Sequence, residues 1–364
     1  MKVITLVGTR PELVKLSPVL PLLMKAFDHR LVHSGQHYSF EMDAIFFEEL
    51  RLPPPDHRLD VGAGSHAEQT ARVLQRFERV LLEERGDGIV VLGDTNTTLA
   101  GALVAAKLHV PGVHLEAGCR SLNRRMPEEV NRIVADHVCD WCLAPGERER
   151  ENLLREGIPP DRIRVVGSTA IDACLRNSEL ARGRSTVDGL GLPPGEYVLL
   201  TLHRAENTIP DVLTGIMQAI NLLAERYPFV FPVHPRTRSV LAQLMEGSSP
   251  LRLHPNLSLI EPVGYLDMLQ LIAQARAVMT DSGGVQEEAA ALGTPLLVVR
   301  PETEWMYLVE AGASALVGNT CDAIIGTATP LLAQGRAAFR RIDVEPQRGA
   351  AERIVSILAE LLTQ

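Results

Sequence analysis

Short apolar runs alternate with segments of helical apolar spacing along almost all of the 364 residues. Continuous apolar runs are typical of strands buried on both faces of a parallel sheet. In the first half the predicted strands are 2–7, about 30–34, 89–92, 112–115, 142–144 and 163–166, with helices near 11–26, 40–50, 66–85, 97–108, 128–138 and 146–156. In the second half the predicted strands are about 197–201, 229–233, 257–260, 277–280, 295–299 and 314–317. The alternation predicts an α/β fold of doubly wound parallel sheets.

The stretch 182–195 is rich in glycine and proline and lacks clear periodicity, which predicts a linker between two domains. We therefore expect a Rossmann-like N-terminal domain over 1–181 and a Rossmann-like C-terminal domain over 196–345. The remaining segment, 346–364, has the pattern of an amphipathic helix. We expect this helix to return to the N-terminal domain.

The turn Asp281-Ser282-Gly283-Gly284 follows a predicted strand and precedes a predicted helix. Glycines let the backbone approach an anion closely, and the helix start directs free N–H groups at that anion. Glu288 falls in the first turns of the same helix, where a carboxylate could reach a ribose hydroxyl. The alternative is an ordinary strand-to-helix corner with Ser282 as N-cap.

A second corner of the same kind lies at the N-terminus. The strand 2–7 is followed by Gly8-Thr9-Arg10-Pro11-Glu12, and Pro11 suits the first position of a helix. Arg10 offers a forked guanidinium for phosphate oxygens, and Lys15 adds a point charge near the same helix start. Two anion-receptive helix starts favour two nucleotide-binding-type domains that face a shared cleft, although a solvated surface pair is the alternative for these two cations.

Other polar residues follow predicted strands or begin helices, at the positions where open α/β sheets bind ligands. They are Asp94, Glu116, Glu128, His203 and His234. Each has an ordinary explanation, such as a helix cap or a buried imidazole. As a set they indicate a functional site, because unpaired buried charge is costly.

Charge and cysteine usage narrow the classes of partner. The formal net charge of −9 disfavours nucleic acid and acidic membranes, and no apolar run approaches the roughly 20 residues that span a bilayer. Met1 and Lys2 lead directly into a strand, so we expect no signal peptide. Five cysteines without a framework spacing indicate a cytoplasmic protein. Cys139 and Cys142 have no second pair to complete a zinc site, which favours packing roles.

Six ordered motifs make the chain resemble a known family, the non-hydrolysing UDP-N-acetylglucosamine 2-epimerases. They are Gly8-Thr9-Arg10-Pro11-Glu12, Gly35-Gln36-His37, Gly93-Asp94-Thr95, His114-Leu115-Glu116-Ala117-Gly118, Pro127-Glu128-Glu129 with Asn131-Arg132, and Asp281-Ser282-Gly283-Gly284 with Gln286-Glu287-Glu288. The resemblance implies a glycosyltransferase type B architecture, a UDP-sugar substrate and reversible epimerisation at C2 in polysaccharide precursor synthesis. It also implies a homodimer, no redox cofactor and no metal.

The resemblance implies a role for each candidate residue. Asp94, Glu116 and Glu128 would carry the acid/base and orienting roles, with His203 beside the leaving phosphate. Arg10, Lys15, His203 and the turn Ser282, Gly283 and Gly284 would hold the diphosphate, Glu288 the ribose, His234 the nucleotide, and Arg300 the substrate side. Either Glu116 or Asp94 is the expected acceptor of the C2 proton.

Two departures from the family's usual sequence leave the sugar and its regulation open. After Arg300 the chain reads Thr303-Glu304-Trp305-Met306-Tyr307, where the family commonly has Thr-Glu-Arg-Pro-Glu. The segment 38–44 also lacks the glutamine-containing helix of the activating second site in many bacterial members. Activation by substrate is therefore not expected.

Four alternatives to a non-hydrolysing UDP-N-acetylglucosamine epimerase remain. A hydrolysing relative is disfavoured by the intact Gly8-to-Glu12 motif and Lys15, whereas a 2-epimerase of a UDP-diacetamido-uronic acid differs only in its sugar. A type B glycosyltransferase would not need three carboxylates in the cleft. A nucleotide-sugar sensor would not need Glu116, Glu128 or His203.

Overall fold

The structure, a computed structural model, describes residues 1–35, 46–247, 250–303, 305–344 and 347–363. The chain divides into two compact units. The first unit comprises Met1–Ala173 and Glu345–Gln364, and the second comprises Cys174–Val344.

The first unit is built on a seven-stranded sheet whose strand pairs are parallel. Its strands are β1 (Lys2–Val7), β2 (Asp28–His33), β3 (His57–Arg58), β4 (Gly88–Leu92), β5 (Gly112–Leu115), β6 (Trp141–Ala144) and β7 (Ile163–Val165), in the spatial order β3-β2-β1-β4-β5-β6-β7. The order reverses direction between β1 and β4, which is the switch point at which open sheets bind ligands.

Helices precede or follow these strands. They are α1 (Arg10–Leu16), α2 (Leu20–Ala26), α3 (His66–Glu84), α4 (Asn96–Leu108), α5 (Pro127–Val138), α6 (Glu147–Arg155) and α7 (Thr169–Ala181), with a 3-10 turn at Pro160–Arg162. The single helix predicted over 11–26 is two helices. Pro18 and Pro21 explain the break, because neither can donate a backbone hydrogen bond to the preceding turn. The helix predicted near 40–50 falls largely outside the described residues.

The second unit repeats the plan with a six-stranded parallel sheet. Its strands are β8 (Val198–Thr201), β9 (Phe229–Pro232), β10 (Leu257–Ile260), β11 (Ala277–Thr280), β12 (Leu296–Val298) and β13 (Ser314–Leu316), in the order β10-β9-β8-β11-β12-β13. Its helices are α8 (Thr186–Gly189), α9 (Pro210–Ala224), α10 (Pro235–Glu246), α11 (Tyr265–Gln274), α12 (Gly283–Leu292), α13 (Met306–Glu310) and α14 (Cys321–Gln334), with 3-10 turns at Glu206–Thr208 and Gly335–Ala338.

Both faces of the second sheet are covered, which explains the continuous apolar runs in its strands. Along β8, Val198 and Leu200 belong to one apolar cluster, whereas Leu199 and the preceding Tyr197 belong to another. All four side chains are fully buried. Because apolar side chains cover both faces of this sheet, polar functional side chains are expected at the ends of its strands.

The predicted linker at 182–195 lies inside the second unit. The division between units falls earlier, after Ala173 and within α7. Val187 is buried in the second unit's core, and the side-chain oxygen of Gln270 accepts hydrogen bonds from the backbone N–H groups of Thr186 (2.9 Å) and Val187 (3.2 Å). The burial of Val187 and these two hydrogen bonds therefore hold in the second unit a stretch whose glycine and proline content predicted a linker.

The C-terminal helix α15 (Ala350–Leu361) belongs to the first unit. The carboxylate of Asp172 accepts hydrogen bonds from the backbone N–H groups of Gly349 and Ala351, both at 2.9 Å. Asp172 thus satisfies two donors at the start of this helix, as N-terminal capping groups do.

An ion-pair cluster around Glu84 joins the end of α3 to the strands β1, β2 and β3. Glu84 Oε2 lies 2.9 Å from Lys2 Nζ and 3.4 Å from Arg30 Nε, and Oε1 lies 2.7 Å from His57 Nε2. The hydrogen bonds from Lys2 and His57 lower the pKa of Glu84 to about 2. The ionised carboxylate therefore contributes stability.

We expect Glu84→Gln to lower the melting temperature at neutral pH, with a loss of about 1 kcal/mol or less. The pKa of Glu84 is 4.5 in the unfolded chain and about 2 in the folded protein. The contribution to stability is therefore fully present above pH 4.5 and is lost as the pH falls through about 2. Calorimetry at neutral pH and near pH 2 measures the difference in stability between the parent and Glu84→Gln, with exposed Glu83→Gln as the control. A difference independent of pH would contradict the ion-pair explanation.

Candidate functional site

A pocket of about 610 Å³ opens in the first unit where β1, β4 and β5 end. It brings together five of the predicted site residues: Arg10, Lys15, Asp94, Glu116 and Glu128. They come from four separate stretches of sequence. Three of these stretches follow β1, β4 and β5, which end at the same edge of the parallel sheet. The position coincides with the switch point between β1 and β4.

Glu116 follows β5 and is held by contacts from two helices. Lys15 Nζ lies 2.7 Å from Glu116 Oε2, and Thr169 Oγ1 donates to Oε1 at 3.2 Å. Glu116 has φ = 63°, in the left-handed region that a residue with a side chain rarely adopts. Such strain persists only where the surroundings fix it, and it is typical of functional sites.

Asp94 follows β4 and is anchored from α5. Arg132 donates to Asp94 Oδ2 and also to Glu129 Oε2, the latter at 3.1 Å. Asn131 Nδ2 donates to the Asp94 carbonyl oxygen at 2.9 Å. The motif Asn131-Arg132 therefore orients a predicted catalytic carboxylate.

Glu128 and Glu129 are adjacent in the first turn of α5 but have different environments. Glu128 is half-buried and lines the pocket, near the positive end of the helix. Glu129 is buried and accepts backbone hydrogen bonds from Ser121 (2.9 Å) and Leu122 (3.0 Å). Burial raises the pKa of Glu129, but these hydrogen bonds outweigh it and leave the pKa below its usual value. Glu128 thus lines the pocket, whereas Glu129 holds the loop at 121–122.

Glu12 lines the pocket and was not singled out among the candidate residues. Its Oε2 accepts from the backbone N–H groups of Gly8 and Thr9, both at 2.7 Å, and its Oε1 accepts from Thr95 Oγ1 at 2.8 Å. Burial raises the pKa of Glu12 despite these bonds. The side chain thus joins the turn after β1 to the turn after β4. The spacing of Thr9 and Glu12, which is that of a capping box, was the available signal.

The turn after β1 is close-packed and presents Arg10 at the start of α1. A Cβ added to Gly8 would lie 2.3 Å from Thr97 Oγ1, so only glycine fits there. The Arg10 guanidinium lies 5.5 Å from the centroid of the Phe46 ring, within the range of cation–π contacts.

A polar wall of the pocket comes from α3 and α4 and was not predicted. Gln69 Oε1 accepts from Asn96 Nδ2 at 3.0 Å, and the Asn96 amide also contacts His66 Nδ1. His66 and Gln69 lie at the start of α3, which no site-like motif precedes in the sequence. Their proximity to the pocket depends on tertiary packing alone.

In the second unit, His203 and Asp281 follow the adjacent strands β8 and β11. His203 Nδ1 lies 3.1 Å from Asp281 Oδ1, and Asp281 also accepts backbone hydrogen bonds from His203 and Arg204. Burial raises the pKa of Asp281, but these hydrogen bonds outweigh it and lower the pKa overall. His234 lies nearby, with 5.8 Å between the two imidazole centroids. Asp281 therefore fixes the orientation of His203.

The turn Ser282, Gly283 and Gly284 begins α12. Ser282 is the N-cap residue by backbone geometry, yet its side chain makes no capping hydrogen bond. Among the described residues, a Cβ on Gly284 would meet no atom within 4 Å, and one on Gly283 would lie 3.4 Å from Trp305 Nε1. Packing against that part of the chain therefore does not require these glycines, which weakens the ordinary-corner explanation and favours a helix start that an anion can approach.

Glu288 and Arg300 lie further along the second unit. Glu288 is half-buried in α12, and its carbonyl oxygen accepts from Cys174 Sγ at 3.8 Å. Arg300 is buried just after β12. Glu304 and the segment 38–44 lie outside the described residues. The structure thus places His203, His234, the glycine turn, Glu288 and Arg300 in one unit and the three carboxylates in the other.

Cys139 and Cys142 are free and buried, as expected of packing residues. Burial raises the pKa of the Cys142 thiol to about 12, so it is not poised for redox chemistry. Within the described ranges, histidine, cysteine and carboxylate side chains form no group of three or more that could hold a metal ion. Nor do those ranges contain a helix with the length and apolar character to cross a membrane.

Comparison with known proteins gives concordant matches. A family model described as UDP-N-acetylglucosamine 2-epimerase matches residues 23–359. A relative named UDP-N-acetylglucosamine 2-epimerase, from Methanocaldococcus jannaschii, is 45% identical over 89% of this chain and 90% of its own. A UDP-2,3-diacetamido-2,3-dideoxy-D-glucuronate 2-epimerase from Pseudomonas aeruginosa is 41% identical over 99% of this chain and 100% of its own.

A solved structure extends the match to three dimensions. The Methanocaldococcus jannaschii UDP-GlcNAc 2-epimerase in complex with UDP-GlcNAc and UDP has a TM-score of 0.82 and 42% identity, and the match covers 99% of this chain and 100% of that one. The predicted fold class, an α/β fold of two Rossmann-like domains as in type B glycosyltransferases, is confirmed.

Proposed function

Because the chain belongs to the UDP-N-acetylglucosamine 2-epimerase family, we propose that it interconverts UDP-N-acetylglucosamine and UDP-N-acetylmannosamine by inverting C2. The observation that carries the proposal is the pocket at the switch point of the first sheet, where Asp94, Glu116 and Glu128 meet Arg10 and Lys15. A binding protein for nucleotide sugars would have no use for three carboxylates beside the sugar.

The chemistry requires both a base and an acid. The C2 proton is not next to a carbonyl, so simple removal and return of that proton is too slow. In the proposed route a base takes the C2 proton, the C–H electrons form the C1–C2 double bond, and the C1–O electrons leave with UDP. The products are UDP and 2-acetamidoglucal. Return of UDP to C1 and of a proton to the other face of C2 completes the inversion.

The carboxylates fit the proton transfers, because removal on one face and delivery on the other need groups from different directions. Glu116 follows β5, Asp94 follows β4, and Glu128 comes from the start of α5. Glu116 or Asp94 is the proposed acceptor of the C2 proton. Lys15, at 2.7 Å from Glu116, compensates the carboxylate charge while UDP brings further negative charge.

The departing diphosphate needs hydrogen-bond donors and cations whose interactions with its oxygens become stronger as negative charge develops there. Arg10 and Lys15 supply cations in the first unit. In the second unit, His203 Nδ1 lies 3.1 Å from Asp281 Oδ1, and an imidazolium held in this way would donate from Nε2 to a phosphate oxygen. The N–H groups of Gly283 and Gly284 add a helix N-terminus. His234, Glu288 and Arg300 are assigned by family resemblance to the nucleotide and substrate.

A second substrate is favoured by one relative. The Pseudomonas aeruginosa 2-epimerase matches 99% of this chain, and its name specifies a diacetamido-uronate sugar. Trp305, where the family commonly has arginine, lies close to Gly283 of the proposed UDP turn. UDP-2,3-diacetamido-2,3-dideoxyglucuronate is therefore the second candidate. The homodimer and the cytoplasmic location stay predictions.

Turnover in D₂O, followed by NMR, tests the proposal. We expect UDP-N-acetylmannosamine that carries deuterium at C2, because the acid/base groups exchange with solvent, together with traces of UDP and 2-acetamidoglucal. Product with protium fully retained at C2 would exclude the elimination route. Stoichiometric free N-acetylmannosamine would indicate a hydrolysing enzyme, and turnover of only the diacetamido-uronate nucleotide would favour the second candidate.

A further inference from the structure

His114 lies on β5, two residues before the pocket-lining Glu116, and is fully buried. Its Nδ1 is 2.6 Å from Asp136 Oδ1, and its Nε2 is 2.7 Å from the carbonyl oxygen of Gly93. A carboxylate and a carbonyl oxygen can only accept hydrogen bonds. Each ring nitrogen must then carry a proton, because a bare nitrogen at either distance would face an oxygen lone pair. The geometry indicates an imidazolium cation.

The surrounding charges balance this cation. Asp136 is fully buried, and its Oδ2 accepts from Arg120 at 2.6 Å and from the Gly118 N–H at 3.1 Å. Arg120 also pairs with Glu156 at 2.7 Å. Two cations and two carboxylates thus form one network. Pairing of this kind is what allows charge to remain inside a protein.

The titration behaviour agrees with the geometry. Burial lowers the pKa of His114, but the charge and hydrogen bond of Asp136, with the Gly93 carbonyl and the charge of Glu116, outweigh burial and raise it overall. The pKa of Asp136 is lowered by His114 and Arg120 despite its own burial. Cys142, opposite His114 in the sheet, donates its thiol to the Asp136 carbonyl and has a pKa raised to about 12. It therefore stays neutral.

The network contacts both turns that carry the proposed catalytic carboxylates. Gly93 directly precedes Asp94, and Gly118 follows Glu116 by two positions. Gly93, Glu116 and Gly118 have φ values of 76°, 63° and 81°, so both turns use the left-handed region. Glycine adopts this region freely, but at Glu116 the conformation is strained and persists only where the surroundings fix it. His114 holds the first turn through the Gly93 carbonyl, and Asp136 holds the second through the Gly118 N–H.

We propose that His114 is a doubly protonated positioning residue which, with Asp136, fixes the turns that carry Asp94 and Glu116. The protonation state of His114 does not depend on what the protein binds or catalyses, whereas its effect on turnover rests on the proposed function. The protonation state and the effect on turnover are therefore tested by separate experiments.

The protonation state is tested by NMR of ¹⁵N-histidine-labelled protein at about pH 8, where ordinary histidines are neutral. We expect the ring of His114 to have both nitrogens protonated. That signal should be absent from His114→Gln and present in His137→Gln, a control at an exposed position next to Asp136 in α5. A single protonated nitrogen on His114 would overturn the proposal, and this outcome is readable in the parent protein even if a variant fails to fold.

The Asp136→Asn variant provides the second arm, because it keeps the side-chain shape and removes the charge. We expect His114 to lose its second proton at the same pH. Both protons retained in a folded Asp136→Asn protein would show that the carboxylate does not set the charge.

Turnover tests the positioning role. The amide in His114→Gln can still donate to the Gly93 carbonyl but carries no charge. The turns that carry Asp94 and Glu116 should therefore shift, while the proposed nucleotide-binding residues of the second unit stay unchanged. We expect His114→Gln to lower kcat about tenfold to a hundredfold, the effect of a small misplacement, with KM within about threefold of the parent. His137→Gln should match the parent. A folded His114→Gln protein with the parent's kcat would overturn the positioning role, whereas a parent inactive on both sugar nucleotides would count against the proposed function and leave the NMR result standing.

Discussion

Replacing Glu116 by glutamine is expected to lower kcat about a thousandfold, within the range of general acid–base catalysis. The amide cannot accept or return the C2 proton, and it cannot balance Lys15, which lies 2.7 Å from the native carboxylate. Steady-state kinetics with UDP-N-acetylglucosamine measures the loss. Binding of UDP, measured by calorimetry, should survive because the proposed role of Glu116 is at the sugar.

The control for this change is Glu147→Gln, an exposed carboxylate at the start of α6. It should leave kcat and the melting temperature unchanged. The hydrogen bond from Thr169 to Glu116 can be made to a glutamine oxygen, so the folded state should also persist in Glu116→Gln. A kcat within about tenfold of the parent would remove Glu116 from the proton transfer and leave Asp94 as the proposed base.

Replacing Arg10 by alanine is expected to cost about 3–4 kcal/mol of transition-state stabilisation, or about a hundredfold to a thousandfold in rate. The guanidinium at the start of α1 would contact diphosphate oxygens whose charge grows as the C1–O bond breaks. The loss should therefore appear mainly in kcat. Arg10→Lys should recover only part of the rate, because an ammonium lacks the planar fork.

The matched control is Arg79→Ala, which removes the same charge from the exposed side of α3. It should behave as the parent. An Arg10→Ala protein with activity within about threefold of the parent would exclude Arg10 from leaving-group stabilisation.

The sheets could be predicted from the sequence because their strands are buried on both faces and so appear as continuous apolar runs. The same topology explains why Asp94 and Glu116, distant in sequence, could be expected together: parallel strands end at one edge of a sheet. Strand β3 could not be found, since it is only two residues long and neither His57 nor Arg58 is apolar.

What escaped prediction in the site depends on contacts between distant segments. The left-handed backbone of Glu116 has no local signal, because such geometry usually requires glycine or asparagine. Arg132 was part of a motif, but its contact with Asp94 depends on the tertiary position of α5, which packs against α4 and β5. The spacing of Thr9 and Glu12 fits a capping box, but only the tertiary fold shows that Glu12 also bonds Thr95.

The return of the last helix to the first unit also brings the two chain ends together. The backbone N–H of Lys2 donates to Asp87 at 2.7 Å, and the next residue, Gly88, is flanked by the side chain of Leu362. A short peptide could therefore connect the ends. With new ends in the exposed turn at 189–191, such a circular permutant would encode the first unit, now split between 1–173 and 345–364, as one continuous segment.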